Sequence, residues 1–87
     1  MVTGAAGGIG AAIGAALRAR GWRVAGIDLR AADNLDLSLI GDVADATATA
    51  TAMAQAEQQL GPLEALVTAA GHYEMVDIAD ITPAAWT

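Results

Sequence analysis

The chain has 87 residues, a net charge of −6, 55% hydrophobic residues, ten glycines and no cysteine. This length allows one domain at most, and the negative charge disfavours nucleic-acid binding. The lack of cysteine excludes disulfides, thiolate catalysis and Cys-ligated zinc, and it fits a cytoplasmic location. No apolar run reaches the roughly 18 residues of a membrane span.

The first half of the chain is predicted to form a strand, a turn, a helix and a second strand. The first strand ends at Thr3, and residues 4–8 form the turn. The helix begins at Ile9 and stops at Gly21, and a buried strand follows over 23–28. The apolar spacing predicts a core-facing side of this helix, formed by Ile9, Ala12, Ile13, Ala16 and Leu17.

The second half continues the alternation of strands and helices. Residues 29–36 are polar and irregular, and further strands are predicted over 38–43 and 63–68. The helix between these strands is predicted to be capped by Asp45 and to end before Gly61-Pro62. Its predicted core-facing residues are Met53, Ala56 and Leu60. This alternation predicts an α/β fold with a parallel sheet.

The turn after the first strand carries three spaced glycines, Gly4, Gly8 and Gly10. A glycine-rich turn between a strand and a helix is the context in which a helix start binds a dinucleotide pyrophosphate. Gly4 is predicted to allow the sharp turn, Gly8 a close approach of phosphates, and Gly10 a close packing of the helix on the sheet. The alternative is a Gly/Ala-rich turn without a ligand.

Asp28 ends the second predicted strand, 18 positions after Gly10. A carboxylate at this spacing is predicted to bind the adenosine ribose hydroxyls, which favours NAD over NADP. Arg30 argues in the other direction, because an arginine near that site pairs with a 2′-phosphate. The alternative for Asp28 is a solvated carboxylate at a strand end.

Two further groups of candidates follow later strands, where open parallel sheets bind their ligands. Asp42 and Val43 are predicted to contact adenine, and the alternative for Asp42 is an ordinary helix-preceding carboxylate. Ala69, Ala70 and Gly71 are small enough to leave room for the nicotinamide-side ribose, and the alternative is an ordinary strand-to-helix turn.

The last part of the chain carries its single histidine and tyrosine, His72 and Tyr73. Loop packing is the favoured interpretation, because no nucleophile or second base accompanies them. Three acidic residues are spaced as a solvated face rather than as a metal site: Glu74, Asp77 and Asp80. Thr82-Pro83 is predicted to begin another helix, against which Trp86 packs.

The stretch Thr3-Gly-Ala-Ala-Gly-Gly-Ile-Gly10 resembles the Thr-Gly-x-x-x-Gly-Ile-Gly signature of the short-chain dehydrogenases/reductases. Later motifs fall in that family's order over essentially all 87 residues: Asp28, Asp42-Val-Ala-Asp45, Leu66-Val-Thr-Ala-Ala-Gly71 and Thr82-Pro-Ala-Ala-Trp86. The resemblance implies a Rossmann-type doubly wound parallel sheet with strand order 3-2-1-4. With about four strands it is incomplete, so residues 1–87 are expected to form the N-terminal part of a dinucleotide-binding domain.

The resemblance also implies an NAD cofactor and hydride transfer between an alcohol and a ketone. The cofactor-binding residues that it implies are Gly4, Gly8, Ile9, Gly10, Asp28, Asp42, Val43, Ala69, Ala70 and Gly71. The family's full-length enzyme is expected to act on a small-molecule substrate as a homo-oligomer.

Three departures from the family pattern stand out. The family's Asn-Asn-Ala-Gly is replaced by Thr68-Ala-Ala-Gly71, which removes amide hydrogen bonds. Only 13 residues separate Asp28 from Asp42, a short crossover similar to that of the 2,3-dihydro-2,3-dihydroxybenzoate dehydrogenase branch. The catalytic Ser and Tyr-x-x-x-Lys are not found, since Tyr73 is followed by Asp77 at i+4 and all four basic residues are arginines.

The expected function is therefore NAD binding without turnover by these residues alone. The alternatives are a non-catalytic nucleotide-binding module and a Gly/Ala-rich structural domain without a ligand.

Overall fold

The computed structural model describes residues 1–71, 78–80 and 82–83. Its elements, in chain order, are β1 (Val2–Thr3), α1 (Gly8–Ala19), β2 (Ala25–Asp28), β3 (Leu37–Ile40), α2 (Ala46–Leu60), β4 (Val67–Thr68) and a short 3-10 helix (Ile78–Asp80). Several predictions fall on residues outside this description: His72, Tyr73, Glu74, Asp77, Trp86 and the helix beyond Pro83. No helix in the described ranges is long and apolar enough to cross a membrane.

The four strands form one parallel sheet in the order β3-β2-β1-β4. The central strand β1 pairs on both sides, with Val2 opposite Gly26 of β2 and opposite Val67 of β4. This confirms the predicted α/β class and strand order. Because all strands run the same way, their carboxyl ends meet at one edge of the sheet.

The helices cover opposite faces of the sheet, as a doubly wound fold requires. On one face Met1, Ala25 and Ile27 pack with Ala52 and Ala56 of α2. On the other face a second cluster joins the strands to α1, and its members are Val2, Ala5, Val24, Ile13 and Leu17. The alternation of side chains along β1 and β2 therefore separates two small cores.

Helix α2 matches its predicted bounds because its end signals are local. The Asp45 carboxylate accepts a hydrogen bond of 3.1 Å from the Ala48 N–H, and Gly61 ends the helix at a φ of 90°. The prediction that Met53 faces the core is wrong, since this residue is 38% exposed. Its neighbour Ala52 is buried instead.

Helix α1 presents a face of glycines to the rest of the molecule, which corrects the predicted core face. Ile9 is 74% exposed, whereas Gly10 and Gly14 are buried. A Cβ on Gly10 would overlap the Gly4 carbonyl oxygen, so Gly10 packs on the turn after β1 rather than on the sheet. Ile13 is half-buried as predicted, as is Leu17, but Ala12 and Ala16 are exposed.

The connection between β2 and β3 contains no helix. Leu35 of this connection packs instead against α1 and β2. Its methyl groups occupy the space that a Cβ would need on Gly14 and on Gly26. Arg18 of α1 holds the connection in place, because its Nη1 donates to the Asn34 carbonyl at 2.6 Å. Its Nε lies 3.3 Å from the Asp36 carboxylate.

The strands are shorter than predicted. β2 begins at Ala25 rather than at 23, β3 spans Leu37–Ile40 rather than 38–43, and β4 spans Val67–Thr68 rather than 63–68. Hydropathy marks residues that fit a strand, but strand length depends on pairing. Among residues 1–71, β4 pairs only with the two residues of β1, which limits its length to that of its partner.

Candidate functional site

A cavity of about 340 Å³, termed here the carboxyl-edge cavity, opens at the carboxyl ends of the strands. Its lining residues are Gly4, Gly7, Ile27, Asp28, Leu29, Gly41, Asp42, Val43, Ala69, Ala70 and Gly71. Seven of the ten predicted site residues are among them. The other three, Gly8, Ile9 and Gly10, form the first turn of α1, directly after Gly7.

The glycine turn is fixed by its own backbone and by a close neighbour. Gly4 has a φ of 67°, a conformation that other residues rarely adopt, and its N–H donates to the Ile27 carbonyl at 2.9 Å. A Cβ on Gly4 would lie 2.7 Å from the Ala70 Cα. The prediction of a sharp turn at Gly4 is therefore confirmed, and the turn lies against the end of β4.

Thr3 joins β4 to the turn, a role that its place in the sequence did not predict. Its hydroxyl oxygen accepts hydrogen bonds from the Ala69 N–H at 3.2 Å and from the Ala70 N–H at 3.3 Å. The Thr3 carbonyl also accepts from Ala69, at 3.3 Å. The residue that begins the glycine signature thus holds the small residues after β4 beside the glycine turn.

The start of α1 offers backbone donors. Its cap residue Gly7 provides no side-chain hydrogen bond, and the first turn contains no acidic residue. A Cβ on Gly8 would meet nothing within 4 Å, so the backbone is accessible there. A helix start with free N–H groups and a partial positive charge stabilises an anion.

Asp28 is held at the cavity by two backbone N–H groups. Its Oδ2 accepts from Ala6 at 3.0 Å, and its Oδ1 accepts from Leu29 at 2.7 Å. Each carboxylate oxygen has a further lone pair, so both can accept another hydrogen bond. Asp28 is half-buried, and its carboxylate can receive two hydroxyl groups, one on each oxygen.

Asp42 also lies at the cavity, and it shapes the turn into α2. Its Oδ1 accepts from the Ala44 N–H and its carbonyl from the Asp45 N–H, both at 2.9 Å. Among the described lining residues, the two charged groups are the carboxylates of Asp28 and Asp42, and no cation joins them. This wall of the cavity therefore favours hydroxyl and amino donors over anions.

Two exposed apolar side chains line the same cavity. Val43 is 43% exposed and Leu29 is 72% exposed. Exposed aliphatic groups beside a cavity suit a flat, weakly polar ring. Val43 was predicted from the sequence, whereas Leu29 was missed, although its place directly after Asp28 at a strand end was a usable signal.

Within the described ranges, no three His, Cys, Asp or Glu side chains come together as metal ligands. Asp80, one of the acidic residues predicted to be solvated, is exposed.

Comparison with known proteins identifies the family. The family model described as short chain dehydrogenase matches residues 1–87. The chain is similar to a D-threitol dehydrogenase from Mycolicibacterium smegmatis, with 35% identity over 98 aligned residues. That alignment covers 99% of this chain and 38% of the relative, so the chain spans less than half of the relative's length. The chain belongs to the short-chain dehydrogenase family.

Proposed function

We propose that the chain forms the NAD(H)-binding part of an oxidoreductase that transfers hydride between an alcohol and a ketone. The observation that carries this proposal is the juxtaposition of an uncapped glycine helix start with a carboxylate that has free lone pairs. The first suits a pyrophosphate and the second suits a ribose diol.

Each part of a dinucleotide has a counterpart among the described residues. The first turn of α1, Gly8 to Gly10, would hold the pyrophosphate through its N–H groups. Asp28 would accept from the ribose hydroxyls. The adenine would lie between Leu29 and Val43, with Asp42 accepting from its amino group. The small residues after β4 would leave room for the second ribose: Ala69, Ala70 and Gly71.

The charge of the cavity supports NAD rather than NADP as the cofactor. A 2′-phosphate would lie next to the ribose-binding carboxylate of Asp28, and like charges at that distance repel each other. Arg30 lies nearby, but its Nη2 donates to the Ala6 carbonyl at 3.0 Å. Arg30 is not among the residues that line the carboxyl-edge cavity.

These residues are proposed to bind the cofactor without supplying acid/base catalysis. The nicotinamide, when bound, supplies the hydride chemistry, and the residues described here bind and orient the dinucleotide. Proton transfer needs a group with a suitable pKa at the reacting oxygen. The family's Ser and Tyr-x-x-x-Lys are not found among the 87 residues, which contain no lysine. The substrate alcohol therefore needs a proton acceptor from outside this segment.

The test is an isothermal titration of the chain with NAD⁺ and, in parallel, with NADP⁺. We expect saturable binding of one NAD⁺ per chain and at least about tenfold weaker binding of NADP⁺, the equivalent of about 1.4 kcal/mol. An absence of NAD⁺ binding would favour a structural domain and contradict the proposal. Alcohol-dependent reduction of NAD⁺ by the chain alone would contradict the proposed lack of turnover.

A further inference from the structure

The backbone of Ala6 in the glycine turn is held from two sides. Its N–H donates to Asp28 Oδ2, and its carbonyl accepts from Arg30 Nη2, both at 3.0 Å. Both partners lie at the end of β2 or just after it, more than 20 positions along the chain. The two peptide units that meet at the Ala6 Cα are therefore clamped, one each, by the two side chains that flank Leu29.

The clamp lies between the two proposed binding elements. Ala6 precedes the helix start that is proposed to hold the pyrophosphate, and Asp28 is the proposed ribose ligand. The turn contains glycines at positions 4, 7 and 8, which are conformationally free by themselves. Contacts with other residues must therefore hold the N–H groups of the turn in place. A ligand that needs an ordered turn binds more weakly when it must order the turn itself.

We propose that Arg30 is a positioning residue for the dinucleotide site. It fixes the Ala6 carbonyl, which keeps the Ala6 N–H on Asp28 and keeps the turn in one orientation relative to the ribose-binding carboxylate. This inference rests on the proposed cofactor function. It assigns Arg30 a role that is independent of a 2′-phosphate, because its guanidinium is already engaged by a backbone carbonyl of the turn.

The two possible roles of Arg30 predict different patterns of affinity. A residue that acts through the turn supports the binding of every ligand with a pyrophosphate. Its loss therefore raises the Kd of NAD⁺ and the Kd of NADP⁺ by the same factor. The loss of a residue that pairs with a 2′-phosphate raises the Kd of NADP⁺ alone. In the described residues Arg30 forms no ion pair with a carboxylate, so its removal leaves no buried charge without a partner.

The test compares Arg30→Met, Arg30→Lys and the control Arg20→Met. Arg30→Met keeps an unbranched apolar stem but removes the donor and the charge, and Arg30→Lys keeps a charged donor. Arg20→Met removes the same charge at the other edge of the sheet, where Arg20 is exposed. We expect Arg30→Met to raise the Kd of NAD⁺ and of NADP⁺ about fivefold, as expected for one charge-assisted hydrogen bond at the surface. Arg30→Lys should restore the Kd to within about twofold, and Arg20→Met should leave it unchanged.

A second measurement needs no ligand. Amide hydrogen exchange at Ala6 and Gly7 should become faster in Arg30→Met and stay unchanged in Arg20→Met, because the turn loses one of its two anchors. An unchanged Kd for NAD⁺ in Arg30→Met, or a loss confined to NADP⁺, would overturn the role of Arg30 while leaving the proposed function intact. If the unaltered chain bound no NAD⁺, the cofactor function would be overturned, and with it the role of Arg30.

Discussion

The two edges of the sheet border cavities of similar size but of different chemistry. The carboxyl-edge cavity, about 340 Å³, combines glycines, two carboxylates and the start of α1. The opposite cavity, termed here the amino-edge cavity, is larger at about 440 Å³ and is lined by residues that include Arg20, Trp22, Arg23 and Glu64. Met1 also lines this cavity, and burial lowers the pKa of its amino group.

The direction of the chain explains why the two cavities differ in chemistry. In a parallel sheet each helix begins at the carboxyl edge and ends at the amino edge. The amino-edge cavity therefore meets the carbonyl end of α1, where a partial negative charge disfavours anions. Arg18, in the last turn of α1, and Arg20 just after it offset that charge. The smaller cavity is the one that suits a pyrophosphate.

The largest expected effect compares two glycines with positive φ, one at each edge. Gly4→Ala should lower the free energy of unfolding by about 3 kcal/mol or more, because the new Cβ combines a strained φ with overlap on backbone. The Cβ would lie 2.7 Å from Ala70. Gly21→Ala, at a φ of 90° with nothing within 4 Å, should cost only about 1 kcal/mol. Urea unfolding measures both values, and equal costs would contradict the close approach of the turn to β4.

A smaller effect is expected from removing one negative charge at each edge. Asp28→Asn should raise the Kd of NAD⁺ about tenfold, because the amide has one acceptor oxygen instead of two. Loss of the charge should at the same time narrow the preference for NAD⁺ over NADP⁺. Glu64→Gln makes the same charge change at the amino-edge cavity and should leave both constants unchanged. A comparable effect of the two substitutions on titration would contradict a ribose contact at Asp28.

The order of elements could be predicted from the sequence because its signals are local. Asp45 and Gly61 mark the ends of α2 by capping, and both act within one turn of the chain. The inward faces of the helices were harder to predict, because hydropathy favours large residues. The close contacts of this small core use Gly10 and Gly14 instead, while Ile9 points outward.

The residues of the candidate site could also be predicted in part from the sequence. Spacing along the chain located Asp28 and Val43, since strand ends in a parallel sheet converge on one edge. Contacts between distant residues without a shared motif could not be predicted. The bond from Arg30 to Ala6 and the packing of Leu35 against Gly14 are of this kind, because they depend on how two loops fold over the sheet.

The smallest expected effect concerns two apolar side chains of equal exposure. Val43 and Trp22 are each 43% exposed, but Val43 lines the carboxyl-edge cavity and Trp22 the amino-edge cavity. Val43→Ala should raise the Kd of NAD⁺ about threefold, because it removes two methyl groups from the half-exposed contact proposed with the adenine. Trp22→Ala removes far more apolar surface, yet it should leave the Kd unchanged. Titration of both variants with NAD⁺ at one temperature measures the two Kd values. A larger loss of affinity in Trp22→Ala would indicate that the cofactor binds at the amino-edge cavity instead.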